Sequence, residues 1–240
     1  MFASFGLGFL AFFWSEFLIM LPIQVFLNTE WMQAHMVIYY FIYSLISAVL
    51  AGFGRYWAVW LMNHRTPSLY RAICSAIGFV TFNAVDIIIL CRSGISQSLF
   101  LNVEGKKAFS DELLRVNEGM TSEEISQKIN SLINAQSFDI IIKGINLLML
   151  VFVEAALIVV IYKGLIKKRK MIAVIISDAL GFGYIFITYL LGNYITNGVN
   201  SIIYNAFCFA CGIASLWFVL KEIRYYRRIN SYGGIPNEVI

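Results

Sequence analysis

Five ionisable residues lie inside hydrophobic runs that are each long enough to cross a bilayer: Glu16, Arg55, Asp86, Glu154 and Asp178. A charge in hydrocarbon costs about 2.5–3.5 kcal/mol on the insertion scale, so such side chains are expected to face the protein interior or a water-filled cavity. Carboxylates in that setting can bind an ion, carry a proton or neutralise a cation. These five residues are therefore the first candidates for function.

Depth in the membrane sorts the five residues into two layers, and the first layer contains Arg55, the only base among them. Counted from the predicted cytoplasmic ends of the spans, Arg55, Glu154 and Asp178 lie about 10–14 Å deep at roughly 1.5 Å per residue. An unpaired guanidinium at that depth is costly. We therefore predict that Arg55 forms an ion pair with Asp178 or with Glu154.

A second layer lies farther from that side of the membrane. Glu16 and Asp86 are about 21–24 Å deep on the same count, and Asn83, three residues before Asp86, is near this layer. Two interpretations of the whole polar cluster remain open. It is either a buried network that fixes the register of the helices, or a polar cavity that is open to one side of the membrane.

Composition places these residues in an all-α membrane protein. Of the 240 residues, 60% are hydrophobic and 13% are charged, whereas soluble domains carry about 25% charged residues. About 20 apolar residues suffice for one span. We predict a single membrane domain, 1–240, that is a bundle of six transmembrane helices: 2–27, 35–62, 70–91, 139–163, 171–193 and 200–221.

Charge asymmetry between the short loops predicts the orientation. Loops 63–71 and 163–170 and the tail 222–240 carry Lys or Arg, whereas loops 28–34 and 194–199 carry none. The positive-inside rule therefore places both termini in the cytoplasm, in a multi-pass protein of the plasma membrane. The net charge of +4 does not predict nucleic-acid binding, because the bases lie at membrane edges and form no groove.

The one long connection, 92–138, is predicted to lie outside the membrane and to be helical. Thr121-Ser-Glu-Glu124 has the pattern of a capping box, and Ser110 with the two acids after it indicates another helix start. An apolar stripe follows the capping box: Ile125, Ile129, Leu132 and Ile133. Either the two small helices of this loop pack on the outer rim of the bundle, or they form a docking surface for a partner or peptide.

Weaker motifs favour packing over chemistry. Cys208-x-x-Cys211 resembles half of a zinc or redox site, but Ala206, Ala210 and Ala214 recur every four residues around it and indicate a close-packing face. Gly181-Phe-Gly183 lies in mid-helix and indicates close packing or a kink. No metal and no cofactor is predicted.

Several segments resemble the YhfC family of intramembrane metalloprotease-like proteins, relatives of the PrsW and CPBP group. Gly8–Pro22 resembles the first span of that family, with Glu16 at its polar position. Ser47–Trp57 is similar to the AGxxEExxRY segment. Asn117-Glu-Gly119 resembles a recurring Asn-x-Gly, and Gly144–Glu154 is similar to the fourth span. The resemblance covers most of the chain and implies a metalloprotease-like helical bundle.

The chain departs from the family where its metal ligands are expected. Ala51-Gly52 stands in place of the Glu-Glu pair, and Phe82–Asp86 in place of His-Gly-Gly-x-Glu. Ser177-Asp178-Ala179 replaces the His-Ala-x-x-Asp character. A zinc hydrolase needs about three nitrogen or oxygen ligands and a general base. The resemblance therefore implies a degenerate member that keeps the scaffold and has lost the active centre.

The sequence leaves three classes of function open. The first is a non-catalytic membrane protein that binds a lipid-like ligand, a peptide or another membrane protein, surrounded by membrane lipid. The second is a transport protein: an exporter permease, which would need an ATPase subunit, or a small transporter that uses the acids as proton sites. The third is an atypical intramembrane hydrolase that uses Asp86, Glu154 and Asp178.

Overall fold

The computed structural model of the protein describes residues 1–15, 29–63, 68–116, 121–133, 137–193 and 198–231. Glu16 lies outside these residues. Asn83 and Asp86 are described in their helical backbone but not in their side chains. The second polar layer of the predicted cluster therefore stays a prediction.

Helices account for nearly all of the described residues, and no strand occurs among them. Their order is α1 (Phe2–Phe12), α2 (Glu30–Ala34), α3 (Met36–Asn63), α4 (Leu69–Val116), α5 (Ser122–Ile133), α6 (Ser137–Ile166), α7 (Lys170–Asn193) and α8 (Gly198–Ser231). The all-α prediction is confirmed. The chain divides into two compact units: Met1–Phe82 with Asn146–Ile240, and Asn83–Ile145.

Four helices are long and apolar enough to cross a membrane, judged over the described residues: Met36–Met62, Ile141–Ile166, Lys170–Gly192 and Ile202–Ile229. Two shorter apolar helices are Phe2–Ser15 and Leu69–Thr81. In hydrocarbon every backbone polar group needs an internal partner, which a helix supplies within one segment. By length and composition, the described part of the chain thus has four candidate membrane spans in an all-helical protein.

Helices α3 and α7 pack side by side in opposite directions. The rings of Phe41 and Phe186 meet edge to face with centroids 5.7 Å apart. Farther along, Asp178 lies against Gly52. Residue numbers rise along α3 as they fall along α7, so the helices are antiparallel. This seam positions the polar residues described below.

Helices α6 and α8 run in the same direction and are joined by polar contacts near both ends. Asn146 donates to the side-chain oxygen of Asn205 at 2.7 Å. Seventeen residues farther along each helix, Lys163 Nζ forms an ion pair with Glu222 at 2.7 Å. Between these contacts, Gly212 accommodates the Met149 side chain.

The largest apolar cluster lies between α3, α4, α6 and α8. Its buried members are Val59, Met62, Leu69, Ala72, Ala76, Ala155, Ile158, Val159, Ile161, Tyr162 and Val219. In a bilayer, lipid tails are as apolar as these side chains, so close van der Waals packing rather than water exclusion stabilises such a cluster.

Small residues make the close approach of α1 and α4 possible. A Cβ on Gly8 would overlap the Ser75 carbonyl, and one on Gly78 would overlap the Phe5 carbonyl.

A tight turn joins α6 to α7. The backbone N–H of Arg169 donates to the Gly164 carbonyl at 2.8 Å, and that of Lys168 donates to Leu165 at 3.3 Å. These two bonds form a Schellman motif, in which the residue after the helix adopts left-handed geometry. Lys168 occupies that position with φ 55°. A non-glycine residue costs roughly 1–2 kcal/mol there.

The predicted capping box is confirmed at the start of α5. The Thr121 hydroxyl accepts from the Glu124 backbone N–H at 3.3 Å, and the Glu124 carboxylate accepts from the Thr121 backbone N–H at 2.8 Å. The hydrogen bond from that backbone N–H lowers the pKa of Glu124. The two residues therefore satisfy donors that the helix itself leaves free.

The apolar stripe of α5 packs inside its own unit. Ile125 and Ile129 are buried in one cluster with three residues of α4: Leu101, Phe109 and Leu113. Leu132 packs against this cluster. Ile133 is exposed. The stripe thus packs mainly against α4 of its own unit. Partner binding through it stays a prediction, and Ile125 and Ile129 are not accessible for it in this state.

Three expectations about element boundaries and faces are wrong. Helix α4 continues past residue 91 to Val116, and it breaks at Gly105 (φ 83°) rather than starting again at Ser110. Helix α8 extends ten residues beyond 221, so the first part of the 222–240 tail is helical. The Ala206, Ala210 and Ala214 face is exposed, whereas Cys208 and Gly212 are buried. The buried side of α8 is therefore the face that carries Cys208 and Gly212.

Candidate functional site

The centre of the candidate site is an ion pair between α3 and α6. Arg55 donates from Nε to Glu154 Oε2 at 2.7 Å and from Nη2 to Glu154 Oε1 at 2.8 Å. Arg55 is 1% exposed, and Glu154 is also buried. Such a bidentate pair fixes both side chains and strengthens both hydrogen bonds. The prediction that Arg55 pairs with one of two acids is confirmed, and the partner is Glu154.

Two other helices enclose the guanidinium. The ring of Phe79 on α4 lies below it, with Arg55 Cζ 5.4 Å from the ring centroid. On α7, a Cβ built on Gly181 would stand 3.5 Å from Arg55 Nη1. Gly181 therefore lies in ordinary contact distance of Arg55, whereas Gly183 has no neighbour within 4 Å. Arg55 is thus held by α3, α4, α6 and α7 together.

Asp178 lies beside this pair, one turn before Gly181 on α7. Its carboxylate occupies the place where a side chain on Gly52 would begin. Arg55 is close enough to act on it electrostatically, but the Nε and Nη2 groups of Arg55 donate to Glu154 and not to Asp178. The structure therefore brings the three residues of the first predicted layer together and pairs two of them.

Polar atoms at this seam lack partners within the described part of the chain. Arg55 Nη1, Asp178 Oδ1 and the hydroxyl of Ser177 are buried without a hydrogen bond there, as is the hydroxyl of Ser44 farther along α3. A buried polar atom left unsatisfied costs about 1–3 kcal/mol. Asp178 as a whole residue is only partly buried. The centre therefore holds one buried donor and one buried acceptor without a partner among the described residues, and the acceptor belongs to a carboxyl group that is itself partly exposed.

Charge decides what such a centre attracts. It holds one guanidinium and two carboxyl groups, so Glu154 neutralises Arg55 and Asp178 remains as an additional acid. A free anion is disfavoured there by like-charge repulsion. A neutral hydrogen-bonding group, a cation or a proton fits better. In the part of the chain that the structure describes, no three His, Cys, Asp or Glu side chains are grouped closely enough to hold a metal ion.

Sequence reasoning missed the residues that shape the centre. Gly52 makes room for the Asp178 carboxylate, and Phe79 supports the guanidinium of Arg55. One signal was available, because Gly52 lies three residues before Arg55 and therefore on the same face of the helix. Nothing in the sequence indicates which residue of α4 meets Arg55.

Comparison of the chain with protein-family models, with curated proteins and with solved structures gave no match.

Proposed function

We propose that the protein is a non-catalytic integral membrane protein that binds a polar group of a membrane ligand or partner at Asp178. The observation that carries this proposal is a partly exposed acid within a candidate span, with one carboxylate oxygen unpartnered among the described residues. An acid cannot face lipid tails cheaply. Something polar is therefore expected beside it: water, a ligand or another membrane segment.

The partners of Glu154 favour binding over catalysis. Both of its carboxylate oxygens accept hydrogen bonds from Arg55, which leaves it poorly placed to act as a base or a metal ligand. Of the two histidines, His35 is the first residue of the predicted second span and His64 lies in the loop after it, so neither is predicted deep within a span. These features agree with a YhfC-like scaffold that has lost its active centre. That membership is a proposal, supported by the segments that resemble the family.

The proposed architecture has six spans with both termini in the cytoplasm of a plasma-membrane protein. The basic short loops and the four candidate spans support it. Labelling of single engineered cysteines in intact cells would test it. A cysteine at Glu123 should react with an impermeant maleimide from outside, and one at Lys168 should not.

The binding proposal is tested by native mass spectrometry of the protein extracted from its membrane in mild detergent. We expect a discrete bound species in the native chain that is lost in Asp178→Asn. The matched control is Glu222→Gln, which breaks an ion pair between α6 and α8 away from Asp178, and it should keep the species. Equal occupancy in the native chain and Asp178→Asn, with both folded, would overturn the proposal.

A small proton-coupled transporter is the second candidate, and the additional acid favours it. A carboxyl group beside an already neutralised arginine can take up and release a proton without leaving an unpaired cation. In reconstituted vesicles, this candidate predicts proton uptake with substrate that Asp178→Asn abolishes. A binding protein predicts no such flux in either chain.

A further inference from the structure

The turn between α6 and α7 carries a dense group of bases that the proposed function does not use. We name Lys167, Lys168, Arg169 and Lys170 the basic turn. All four are exposed, and no ion pair joins them to an acid among the described residues. The Lys163–Glu222 pair brings the C-terminal part of α8, which holds four further bases, to the same end of the unit. Segments 163–171 and 221–231 together hold nine Lys or Arg and one acid, against a net charge of +4 for the whole chain.

The backbone of the turn does not by itself favour every one of these bases. Lys168 holds a left-handed conformation that glycine would adopt without strain. Arg169 and Lys170 stand at the start of α7, where cations are unfavourable and where the first turn holds no acid. Lys167 and Lys168 follow the end of α6, where positive charge is favourable. Helix-end electrostatics therefore accounts for two of the four positive charges.

An exposed apolar face begins directly after the basic turn. Met171 is 73% exposed and Ile175, one turn later, is 62% exposed; Ile172 and Ile176 beside them are exposed as well. Charge followed by hydrocarbon along one helix is the order of groups in a phospholipid, from headgroup to acyl chain. Basic groups at this level are attracted to anionic lipids.

We propose that the basic turn binds the phosphate of an anionic phospholipid whose acyl chain lies along Met171 and Ile175. A free phosphate ion offers the same charge but cannot use the apolar face. Membrane orientation explains an excess of bases beside an apolar span, but it does not require a lysine in left-handed geometry within the turn. The proposal is independent of ligand binding at Asp178.

The test is native mass spectrometry of the full chain in detergent with equimolar phosphatidylglycerol and phosphatidylcholine. We expect phosphatidylglycerol to be retained preferentially, and the preference to fall about ten-fold or more when all four residues of the basic turn are changed to Gln, since each base near an anionic surface contributes about five-fold. The matched control changes four bases of the other unit to Gln: Lys106, Lys107, Arg115 and Lys128. It should keep the preference.

Two further arms make the result specific. Lys168→Gly should raise the thermal stability by relieving the left-handed lysine and should lower the preference for phosphatidylglycerol; an unchanged preference would contradict a role for this base. Inorganic phosphate at the same phosphate concentration should not displace the lipid, and displacement would overturn the assignment to a phospholipid. Equal retention of the two lipids by the native chain would overturn the proposal as a whole.

Discussion

At the scale of single residues, one acid pairs with the buried arginine and a second acid beside it does not. Arg55 is almost fully buried and is bound through two hydrogen bonds by Glu154. Asp178 shares the layer but not the pair. Depth along the helices was enough to predict which three residues meet. It could not predict which acid pairs, because that depends on the rotation of α6 and α7 about their axes.

The pairing predicts unequal effects of removing its members. Arg55→Met leaves two acids without a base, so we expect it to destabilise the fold by about 3–5 kcal/mol. Glu154→Leu should cost less, because Arg55 can turn towards Asp178. The double variant should be more stable than Arg55→Met alone. Thermal unfolding in detergent measures all three, and simple additivity of the two single changes would contradict the pairing.

Gly52 predicts a second effect, because it makes room for the Asp178 carboxylate. A methyl group there would displace this side chain, and we expect Gly52→Ala to lower stability by about 1–3 kcal/mol. The same substitution in an Asp178→Ala background should cost little. Gly183→Ala on α7, with no neighbour within 4 Å, is the control and should stabilise by up to about 1 kcal/mol. The test is thermal unfolding of the native chain, Gly52→Ala, Asp178→Ala, the double variant and the Gly183→Ala control. If Gly52→Ala lowers stability equally with and without the Asp178 carboxylate, the contact is refuted.

At the scale of elements, the sequence predicted helices better than it predicted their ends. The apolar runs predicted the long helices because backbone groups in hydrocarbon must be satisfied within one segment. Boundaries at the polar edges were wrong where nothing forces a helix to stop. Helix α4 runs on past residue 91 until Gly105, and α8 continues to Ser231. The start of α5 at Thr121 was predicted correctly, because its cap hydrogen bonds join residues only three positions apart.

The capping box of α5 predicts a dependence on pH. The pKa of Glu124 is lowered in the folded chain by the backbone N–H of Thr121. Its contribution is therefore complete above the unfolded pKa, near 4.5, and is lost as the pH falls through the lower folded value. Hydrogen exchange of the α5 amides in the full chain, expressed as protection relative to the intrinsic rate, should show weaker protection at pH 3 than at pH 7.

A matched pair of variants identifies the cause of that dependence. Glu124→Gln should remove the part of the acid sensitivity that comes from the cap, while Thr121→Ala should lower protection at both pH values, by about 1 kcal/mol at neutral pH. Glu123→Gln on the same turn is the control, because the cap hydrogen bonds do not involve its side chain. An acid response that is identical in the native chain and Glu124→Gln would show that the cap is not its source.

At the scale of the whole molecule, composition and loop charge predicted a helical membrane protein, and four candidate spans agree with it. The close approaches that assemble the unit were not predictable. Gly8 of α1 meets Ser75 of α4, and Gly78 of α4 meets Phe5 of α1, and a glycine that permits contact looks like any other glycine in a sequence. The face of α8 was assigned wrongly for the same reason, since Ala206 and Cys208 are both small enough to pack and only the neighbouring helices decide.

The central claim is that Asp178 meets a polar group from outside this chain. Phe53, 64% exposed and next to Gly52, is the position for a benzoylphenylalanine crosslinker in intact membranes, and Trp217 on α8, 65% exposed, is the control. We predict one discrete adduct from position 53 that disappears with Asp178→Asn, and only lipid adducts from position 217 in either background. Lipid adducts alone from both positions, unchanged by Asp178→Asn, would contradict the claim.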